Sequence, residues 1–530
     1  MRRNHVLCLL MIMMVLMLAA CQSNQDENEP EESADEGQNE GTSEEGQVLH
    51  IALNAQPPTI DPLISTATVS RDIALQIFEP LITINAGLQP APMLAESYEI
   101  SEDGKTITFQ LREGVKFHND QEMTAEDVVA SMERWQNISS RAKAAFSQST
   151  FKADGDYTVV LEMDKPNRTA LAVLSSSTQF PAIMPKEVVE ASGDEPVTDY
   201  IGTGPFKFNE WKQDQYIKLE KFADYVPRDE PSDGPAGKRE ALVDEIMFMI
   251  ATDSSTRIAG VKSGEYDIAT TIPFNNFDQI ENDNQVSAYM EPSGFNIVVF
   301  NKKEGPFADQ KIRQAVAATL DMEAILQASF NDEQFYRLNP GLMLEQQADW
   351  YTDAGKENYN QNDPEKGKAL LEEAGYNGEE VTFITSREYE DFYNASVVIK
   401  EQLEAIGMKV NLEVFDWASV VEKQGDPSAY DAFITGFGIN TDPTQFLFLN
   451  SKNEWAGWTQ SDEIDQLIED IRASGSDEEA LEIYEQLQIE AWNYLPVLKL
   501  GDKNFLYAVN NNIEGFQDVI GMALWNVTKK

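Results

Sequence analysis

Cysteine and histidine are scarce in this chain, whose 530 residues include two cysteines and three histidines. Structural zinc sites draw their ligands mainly from these two residue types, so a zinc site of the usual kind is excluded. The cysteines are Cys8 and Cys21, and no cysteine follows them in the sequence. A disulfide therefore cannot support the main body of the protein. We predict no metal site and no cofactor.

Common catalytic motifs are also missing. The sequence has no Gly-x-Ser-x-Gly elbow, no His-Glu-x-x-His pair and no Gly-x-x-x-x-Gly-Lys-Ser/Thr loop. The segment "GTGPFKF" (202–208) lacks the third glycine of a dinucleotide fingerprint, and its pattern predicts a tight turn into a strand. Two carboxylates can hydrolyse glycosidic bonds, but nothing singles out one pair here. We predict that the protein is not an enzyme, and a surface hydrolase using a carboxylate pair is the alternative.

Positive charge is outnumbered by negative charge, with 40 Lys and Arg against 91 Asp and Glu and a net charge of −51. Two arginines and ten acidic residues precede Val48, which leaves 38 basic and 81 acidic residues, a net charge of −43, on residues 48–530. Such a surface repels nucleic acid and anionic lipid headgroups, so we expect neither as a partner.

The one long apolar run extends from Val6 to Ala20 and follows two arginines. It is shorter than the ~20 residues that span a bilayer and is typical of an export signal. The segment "LAAC" (18–21) resembles a lipobox, in which the cysteine is diacylated and becomes the new N-terminus. We predict a signal peptide over residues 1–20 and a palmitate-bearing lipid anchor on Cys21, on the outer face of a Gram-positive type of cell membrane. An ordinary secretory signal followed by a chance cysteine is the alternative.

An acidic segment follows the anchor. Residues 22–47 hold ten Asp or Glu and neither Lys nor Arg. Such a composition cannot bury enough apolar surface to offset the entropy of ordering, so we predict that residues 21–47 form a lipidated, disordered tether. Two acyl chains on one cysteine anchor a protein firmly where one chain is marginal.

The body, residues 48–530, is too long for one core and should divide into two or three domains. Its signals mix helices and strands. The segment "TAED" (124–127) predicts a capping-box helix start, and residues 128–135 then place apolar side chains on one face. Residues 363–375 begin with Asp-Pro and end with Gly, which indicates another helix with both its ends.

A helix followed by two strands leads to the candidate site. Apolar residues at helical spacing from Phe392 to Ile406 end at Gly407, and residues 408–414 alternate as in a strand. The segment "YDAFITGFGINTDPTQF" (430–446) then predicts a strand over Ala432–Thr435 that runs into a glycine-rich loop. Open α/β sheets bind their ligands at this carboxyl end of the strands.

Five residues of this loop are ligand candidates. Gly436 and Gly438 allow a ligand to approach the backbone closely. Phe437 and Asn440 can contact it directly. Asp442 has two interpretations, a ligand contact or the cap of a helix that starts at the following proline.

Several segments together resemble the successive signatures of the extracellular solute-binding proteins, family 5, which are peptide-binding receptors of ABC importers. They are "PPTIDPL", "TITFQLREGVKFHNDQEMTAEDVVASMERW", "GTGPFKFNEW", "GEYDIA", "FNKKEGPFADQKIRQAVAATLD", "KALLEEAGY" and "LPVLKLGD". The resemblance runs in order from about Leu49 to the C-terminus, and the second segment is its most specific part.

The resemblance implies an α/β fold, the two-lobed clamshell of type II periplasmic binding proteins, with an additional small domain. The implied boundaries are 48–88, 199–292 and 501–530 for the first lobe, 89–198 for the extra domain and 293–500 for the second lobe. Crossings near Ser293 and Gly501 would form the hinge, and a ligand held between the lobes would stabilise the closed form. The implied function is to capture peptides and deliver them to an ABC permease and its ATPase, and we expect a monomer.

Residue roles carry over only in part. In peptide-binding relatives this loop usually starts Gly-Trp and carries, four positions before the proline, an Asp that pairs with the ligand's amino terminus. Here the aromatic residue is Phe437 and the acid is replaced by Ile439. An isoleucine cannot accept hydrogen bonds from an ammonium group, and burying that charge unpaired is costly. Either Asp442 or another acid makes the contact, or the ligand has no free α-amino group; we predict that peptide affinity depends on Asp442.

Three further ligand candidates lie elsewhere. Asn296 precedes the apolar segment "IVVF" at the implied crossing, and Trp417 and Trp455 can stack on a ligand. Core packing is the alternative for both tryptophans, because large aromatic side chains are mostly buried.

The departure at Ile439 also keeps other ligands open. The same receptor could bind a metal chelate, an oligosaccharide or an opine-like compound. A sensor of peptide pheromones would use the same fold.

Overall fold

The computed structural model describes residues 46–530. The predicted signal peptide (1–20), the predicted lipidation site Cys21 and the predicted tether up to residue 45 lie outside the described residues. Within the described range no helix is both long and apolar enough to cross a membrane.

Helices are distributed along the whole described part of the chain. The α-helices are Thr68–Ile77, Ala125–Ile138, Ser140–Phe146, Ala170–Leu174, Lys186–Ser192, Ser254–Ser263, Phe277–Glu281, Gln310–Thr319, Met322–Phe330, Pro364–Ala374, Glu390–Ala405, Trp417–Lys423, Asp462–Ala473 and Asp477–Tyr494. Short 3₁₀ helices are Phe274–Asn276, Pro306–Ala308, Glu333–Phe335, Lys356–Asn358, Pro443–Gln445 and Ser451–Asn453.

Strands alternate with these helices. They are β1 (Val48–Leu53), β2 (Ile82–Ile84), β3 (Pro90–Pro92), β4 (Ala95–Ile100), β5 (Thr106–Leu111), β6 (Thr150–Ala153), β7 (Thr158–Glu162), β8 (Phe206–Lys212), β9 (Tyr216–Lys221), β10 (Glu245–Ile250), β11 (Ile268–Ala269), β12 (Val286–Phe300), β13 (Tyr336–Arg337), β14 (Glu380–Ser386), β15 (Lys409–Phe415), β16 (Ala432–Phe437), β17 (Val497–Asn510), β18 (Ile513–Glu514), β19 (Gln517–Asp518), β20 (Met522–Ala523) and β21 (Thr528–Lys529).

Local sequence signals explain several helix ends. The Asp127 carboxylate accepts a hydrogen bond from the Thr124 backbone N–H at 2.9 Å, which confirms the predicted capping-box start of the helix Ala125–Ile138. The helix Pro364–Ala374 ends at Gly375, whose φ of 73° favours glycine. The predictions of a helix, a strand and a second strand before the glycine-rich loop are confirmed by the helix Glu390–Ala405, β15 and β16.

The main sheet has the strand order β15, β14, β16, β12, β17, β11, β1, β10, β9, β8, and β13 also pairs with β17. β1 runs parallel to β10 and β11, and β14 runs parallel to β15 and β16. Parallel strands of this kind place their carboxyl ends at one edge, where α/β folds bind ligands.

The long antiparallel strands β12 and β17 connect the two lobes. β16 pairs with β12 only beyond residue 295, whereas β11 pairs with β17 at residues 508–509. The β12–β17 ladder is interrupted twice, between Pro292 and Gly294, which lies between these parts, and between Asn296 and Ile297, at the start of the part that pairs with β16. The predicted crossings near residues 293 and 501 lie on these strands, and the domain boundaries stay a prediction.

The extra domain is built on a four-stranded antiparallel sheet in the order β4, β5, β7, β6, with the helix Ala125–Ile138 packed on it. Its core is continuous with that of the first lobe, since Phe109 and Trp135 belong to the same buried cluster as Ile51 and Phe248. The second lobe has a separate large core, formed mostly by residues 295–500. The extra domain and the first lobe are therefore packed as one body.

A buried ion pair also joins the extra domain to the first lobe. Asp61 is fully buried, and its Oδ2 accepts hydrogen bonds from Arg134 Nη2 at 2.7 Å and from the Val197 backbone N–H at 3.0 Å. Its Oδ1 accepts from the Leu63 N–H at 3.0 Å. The carboxylate is thus hydrogen-bonded through both oxygens.

Asp61→Ala should lower the free energy of unfolding by about 3–5 kcal/mol, because it leaves the Arg134 charge buried without its partner. Equilibrium urea unfolding measures this loss. The control is Asp224→Ala, which breaks the exposed Lys116–Asp224 pair (3.1 Å) between the same two regions and should change stability little. Equal losses in the two variants would contradict the importance of burial.

Candidate ligand-binding site

A cavity of about 300 Å³ lies between the two lobes and is called the cleft below. It is lined by residues at the carboxyl ends of three strands: Leu53 of β1 with the following Asn54, residues 387–392 after β14, and residues 435–439 at the end of β16 and just after it. The N-terminal part of the helix Thr68–Ile77 and residues 503–507 of β17 complete it.

An ion pair between Asp391 of the second lobe and Lys503 of the crossing strand β17 lies in the cleft. Lys503 Nζ is 3.4 Å from Asp391 Oδ2, which also accepts a hydrogen bond from Asn296 Nδ2 at 2.9 Å. Gly436 makes room for it, since a Cβ at that position would lie 2.9 Å from Lys503 Nζ. At 3.4 Å the bond between Lys503 and Asp391 is long, so both charged groups keep hydrogen-bonding capacity for a ligand.

A second charged group comes from the first lobe. Arg71 donates from Nε (2.9 Å) and Nη2 (2.7 Å) to Asp72 Oδ1. Its Nη1 has no hydrogen-bond partner within residues 46–530 and lies 3.9 Å from the position of a Cβ on Gly438, across the cleft. Burial lowers the pKa of Arg71, but Asp72 and Asp518 outweigh it and raise the pKa. Arg71 thus presents a cationic donor to the second lobe.

Asp518 lies behind this arginine and is almost completely buried. Its carboxylate accepts hydrogen bonds from the Tyr507 hydroxyl and the Gly521 backbone N–H, both at 2.8 Å. Burial and the neighbouring Asp72 raise the pKa of Asp518 to about 6. The carboxyl group therefore titrates in the weakly acidic range.

Aromatic rings form part of the cleft wall. Phe437 packs edge-on against Phe448 (5.0 Å between centroids) and Trp455 (5.3 Å). Trp417 packs against Tyr389 at 4.7 Å. Phe437, Trp455 and Trp417 all line the cleft, so they belong to a packed aromatic layer and also face the cavity.

The predicted ligand residues fall into two groups. Gly436, Phe437, Gly438, Trp417 and Trp455 line the cleft. Asn296, Asn440 and Asp442 do not, although Asn296 reaches it indirectly through its bond to Asp391.

Asp442 caps a helix, which is the second of the two interpretations predicted for it. It precedes the 3₁₀ helix Pro443–Gln445 and is 2% exposed. Its Oδ1 accepts from the Thr444 N–H at 2.8 Å, and its Oδ2 accepts from Gln445 Nε2 at 2.6 Å. The predicted dependence of peptide affinity on Asp442 stays a prediction, and the carboxylate is already hydrogen-bonded through both oxygens.

The charged residues of the cleft were missed in the sequence. They are Arg71, Asp72, Arg257, Arg387, Glu388, Glu390, Asp391, Lys503 and Asp518. Arg387 directly follows the buried strand β14, a position at the carboxyl end of a strand that could have been recognised. The pairing of Asp391 with Lys503 joins residues 112 positions apart and leaves no local signal.

The loop after β14 also joins the lobes around the cleft. Asn54 Nδ2 donates to the Glu388 backbone oxygen at 2.9 Å, and Ser254 Oγ donates to Glu390 Oε1 at 2.9 Å. Between them, the Thr68 and Tyr389 hydroxyls are hydrogen-bonded at 3.3 Å. Three consecutive residues of the second lobe thus contact the first lobe, and the cleft is closed.

Metal ligands are not grouped in this site. Across residues 46–530 no three His, Cys, Asp or Glu side chains are arranged to hold a metal ion. The polar groups of the cleft are suited to an organic ligand with charges of its own.

The two-lobed α/β fold with a cavity at the carboxyl ends of its strands is that of the type II periplasmic binding proteins. The family profile described as "Bacterial extracellular solute-binding proteins, family 5 Middle" matches residues 89–458. The chain belongs to this family of extracellular solute-binding proteins. This confirms the predicted family and fold class and the prediction that the protein is not an enzyme.

Individual relatives align with this chain over almost its whole length. The probable peptide ABC transporter periplasmic-binding protein y4tO of Sinorhizobium fredii is 29% identical, with 88% of this chain and 91% of the relative covered. The oligopeptide-binding protein AppA of Bacillus subtilis is 26% identical over 100% of this chain and 99% of its own. The solved structure of AgaA in complex with agropinic acid, from A.tumefacien R10, has a TM-score of 0.81 and 28% identity and covers 91% of this chain and 99% of AgaA.

Asp518 should give the stability a pH dependence. Its pKa is about 6 in the folded protein against an ordinary value of 3.8, so the folded state binds the proton more tightly. The resulting stabilisation is complete below about pH 4 and is lost as the pH rises to about 6. The free energy of unfolding of the parent minus that of Asp518→Asn, measured by urea unfolding, should therefore decrease as the pH rises from about 4 to about 6.

The matched control is Asp229→Asn, which removes an exposed acid outside the cleft. It should follow the parent curve between pH 4 and pH 6. A constant difference between the parent and Asp518→Asn would refute the raised pKa.

Proposed function

We propose that the protein is the lipid-anchored, extracytoplasmic substrate-binding receptor of an ABC importer and that its ligand is a small zwitterion, such as a short peptide. The observation that carries this proposal is a closed cleft lined by both lobes, with the Asp391–Lys503 pair on one side and Arg71 on the other. Closure around the ligand would create the form that the permease and its ATPase recognise.

The size of the cleft supports a short ligand. Sites for drug-sized molecules occupy about 300–1,000 Å³. At about 300 Å³ the closed cleft lies at the lower end of this range. A peptide of two or three residues suits this volume better than a long one.

The family resemblance implies an acid at the position of Ile439. A different acid must therefore accept hydrogen bonds from the ligand's ammonium group. Asp391 fits this role, because it lines the cleft and its Oδ1 has no hydrogen-bond partner within residues 46–530. Asn296 holds its other oxygen in place at 2.9 Å. A charge-assisted hydrogen bond from an ammonium group to Asp391 would offset the cost of burying that group.

The ligand's carboxylate would bind the cations of the cleft. Within residues 46–530, Lys503 makes only one long ionic contact, and Arg71 Nη1 has no hydrogen-bond partner. Arg387, whose guanidinium lies 3.9 Å above the Tyr393 ring, is exposed at the rim of the cleft. A hydrogen bond from an arginine to a carboxylate is charge-assisted on both sides, which favours a ligand with a free carboxylate.

A non-peptide carboxylate is the second candidate. Ile439, at the position where the family resemblance implies an acid, lines the cleft, and the relative AgaA was solved with agropinic acid. An opine-like compound would use the same cations without requiring the missing acid. The family assignment argues against the hydrolase alternative.

Native mass spectrometry of the full chain, purified without unfolding, should reveal the ligand that it retains. Asp391→Asn should then bind this ligand roughly ten- to a hundredfold more weakly if it carries an ammonium group, since hydrogen bonds to charged groups contribute about 1.5–3 kcal/mol. Isothermal titration calorimetry with the identified compound measures the change.

Glu401→Gln is the control, because it removes an exposed charge from the same helix, Glu390–Ala405. Its affinity should equal that of the parent. Unchanged affinity of Asp391→Asn for an ammonium-bearing ligand would exclude Asp391 as the contact, and a retained compound without an ammonium group would support the opine-like candidate.

The anchor is tested independently of the ligand. Cys21→Ser should abolish labelling by palmitate and release the protein from the membrane fraction, because no diacylated cysteine remains. Cys8→Ser is the matched control and should behave as the parent, since Cys8 lies inside the predicted signal peptide. Labelling of Cys21→Ser would show that the anchor lies elsewhere.

A further inference from the structure

A buried polar contact joins the extra domain to the second lobe away from the cleft. It is formed by Arg141 of the extra domain and by Asn440, Asp442, Gln445 and Arg472 of the second lobe, which together are called the clasp. None of these residues lines the cleft, and each is at most 6% exposed. The clasp therefore cannot act on a ligand by direct contact.

Gln445 connects the two sides of the clasp. Arg141 Nη1 donates to Gln445 Oε1 at 2.9 Å and, at 3.4 Å, to Asn440 Oδ1. Gln445 Nε2 in turn donates to Asp442 Oδ2 at 2.6 Å. A cation of the extra domain is thereby linked through one amide to a buried anion of the second lobe.

Arg472 of the second lobe donates in the opposite direction, to the extra domain. Its Nη1 donates to the Ala144 backbone oxygen of the extra domain at 2.8 Å. Its own backbone oxygen accepts from the Arg168 N–H of the extra domain at 3.1 Å. Each of the two regions therefore both donates and accepts hydrogen bonds across the contact.

The charges of the clasp are buried together. Burial lowers the pKa of Arg141 to about 10, and Asp442 counteracts this effect. Burial likewise raises the pKa of Asp442, while its bonds to Thr444 and Gln445 and the charge of Arg472 counteract it. Arg141 is thus stabilised by a charge on the other side of the contact, whereas Asp442 is stabilised by groups of its own lobe.

The clasp can form only when the lobes are closed. Its first half moves with the first lobe, because the helix Ser140–Phe146 contributes Phe146 to the core shared with that lobe. Its second half belongs to the other core, to which Phe446 and Ile471 contribute. Since β12 and β17 connect the two bodies, rotation about these strands would separate Arg141 from Gln445.

We propose that the clasp stabilises the closed form even without a ligand, so that Arg141, Gln445 and Asp442 are positioning residues that set affinity from outside the cleft. In the open form Arg141 is hydrated; in the closed form it donates to Gln445, which in turn donates to Asp442. Apparent affinity rises with the fraction of binding-competent protein. Asp442 would then influence binding through closure, without touching the ligand.

Pulsed electron paramagnetic resonance of the ligand-free protein tests this proposal. The full chain, with both natural cysteines changed to serine, would carry spin labels at Glu133→Cys in the extra domain and Glu485→Cys in the second lobe, both exposed positions. The parent should show a population at the short, closed distance. Arg141→Ala and Gln445→Ala should each raise the ratio of open to closed protein by roughly tenfold, as expected for loss of a hydrogen bond to a charged group.

The double variant should open little further than either single variant, because both changes remove the same bond. Urea unfolding of each variant checks that it is folded, and Arg141→Lys, which keeps the charge but not the planar fork, should be intermediate. Lys143→Ala is the control: it removes an exposed positive charge from the same helix, Ser140–Phe146, and should leave the ratio unchanged.

Two results would overturn the proposal. One is a parent that shows only the open distance without ligand, and the other is identical distance distributions in the parent, Arg141→Ala and Gln445→Ala. No ligand is used in this experiment, so its outcome is independent of which solute the receptor captures.

Discussion

The ladder between β12 and β17 is the constraint on which the other features depend. The second-lobe strands attach to one end of this ladder and the first-lobe strands to the other. Its two interruptions, between Pro292 and Gly294 and between Asn296 and Ile297, remove regular pairing where the lobes meet. Lys503 lies opposite Gly294 in this stretch, so the same strands that allow the lobes to move also supply a charge to the cleft.

Charge is distributed very unevenly in this protein. Residues 48–530 carry a net charge of −43, yet cations such as Arg71, Lys503 and Arg141 lie inside the cleft or between the lobes. Each of them lies close to a carboxylate or is linked to one through an amide, and such contacts are stronger in a low-dielectric interior than on the surface. The acidity of the surface therefore says little about the chemistry of the binding site.

Sequence reasoning was most successful for local elements and for the family. The helix starts at Thr124 and Asp363 and the strand before the glycine-rich loop follow from signals within a few residues, and the structure has them. The loop was correctly placed at a carboxyl end of the sheet, but only its first part lines the cleft. After Ile439 the chain turns into the clasp, and no local pattern distinguishes the buried Asn440 and Asp442 from ligand contacts.

The sequence by itself determined the fold class and the family, the ends of many helices and the exclusion of cysteine-based metal sites and disulfides. These conclusions depend on residue types and short spacings, which the chain carries wherever it folds. Only the tertiary structure decided which charges meet: Asp391 with Lys503 in the cleft, and Arg141 with Gln445 in the clasp. Those partners lie 112 and 304 positions apart, and contacts over such separations exist only after the lobes have formed and closed.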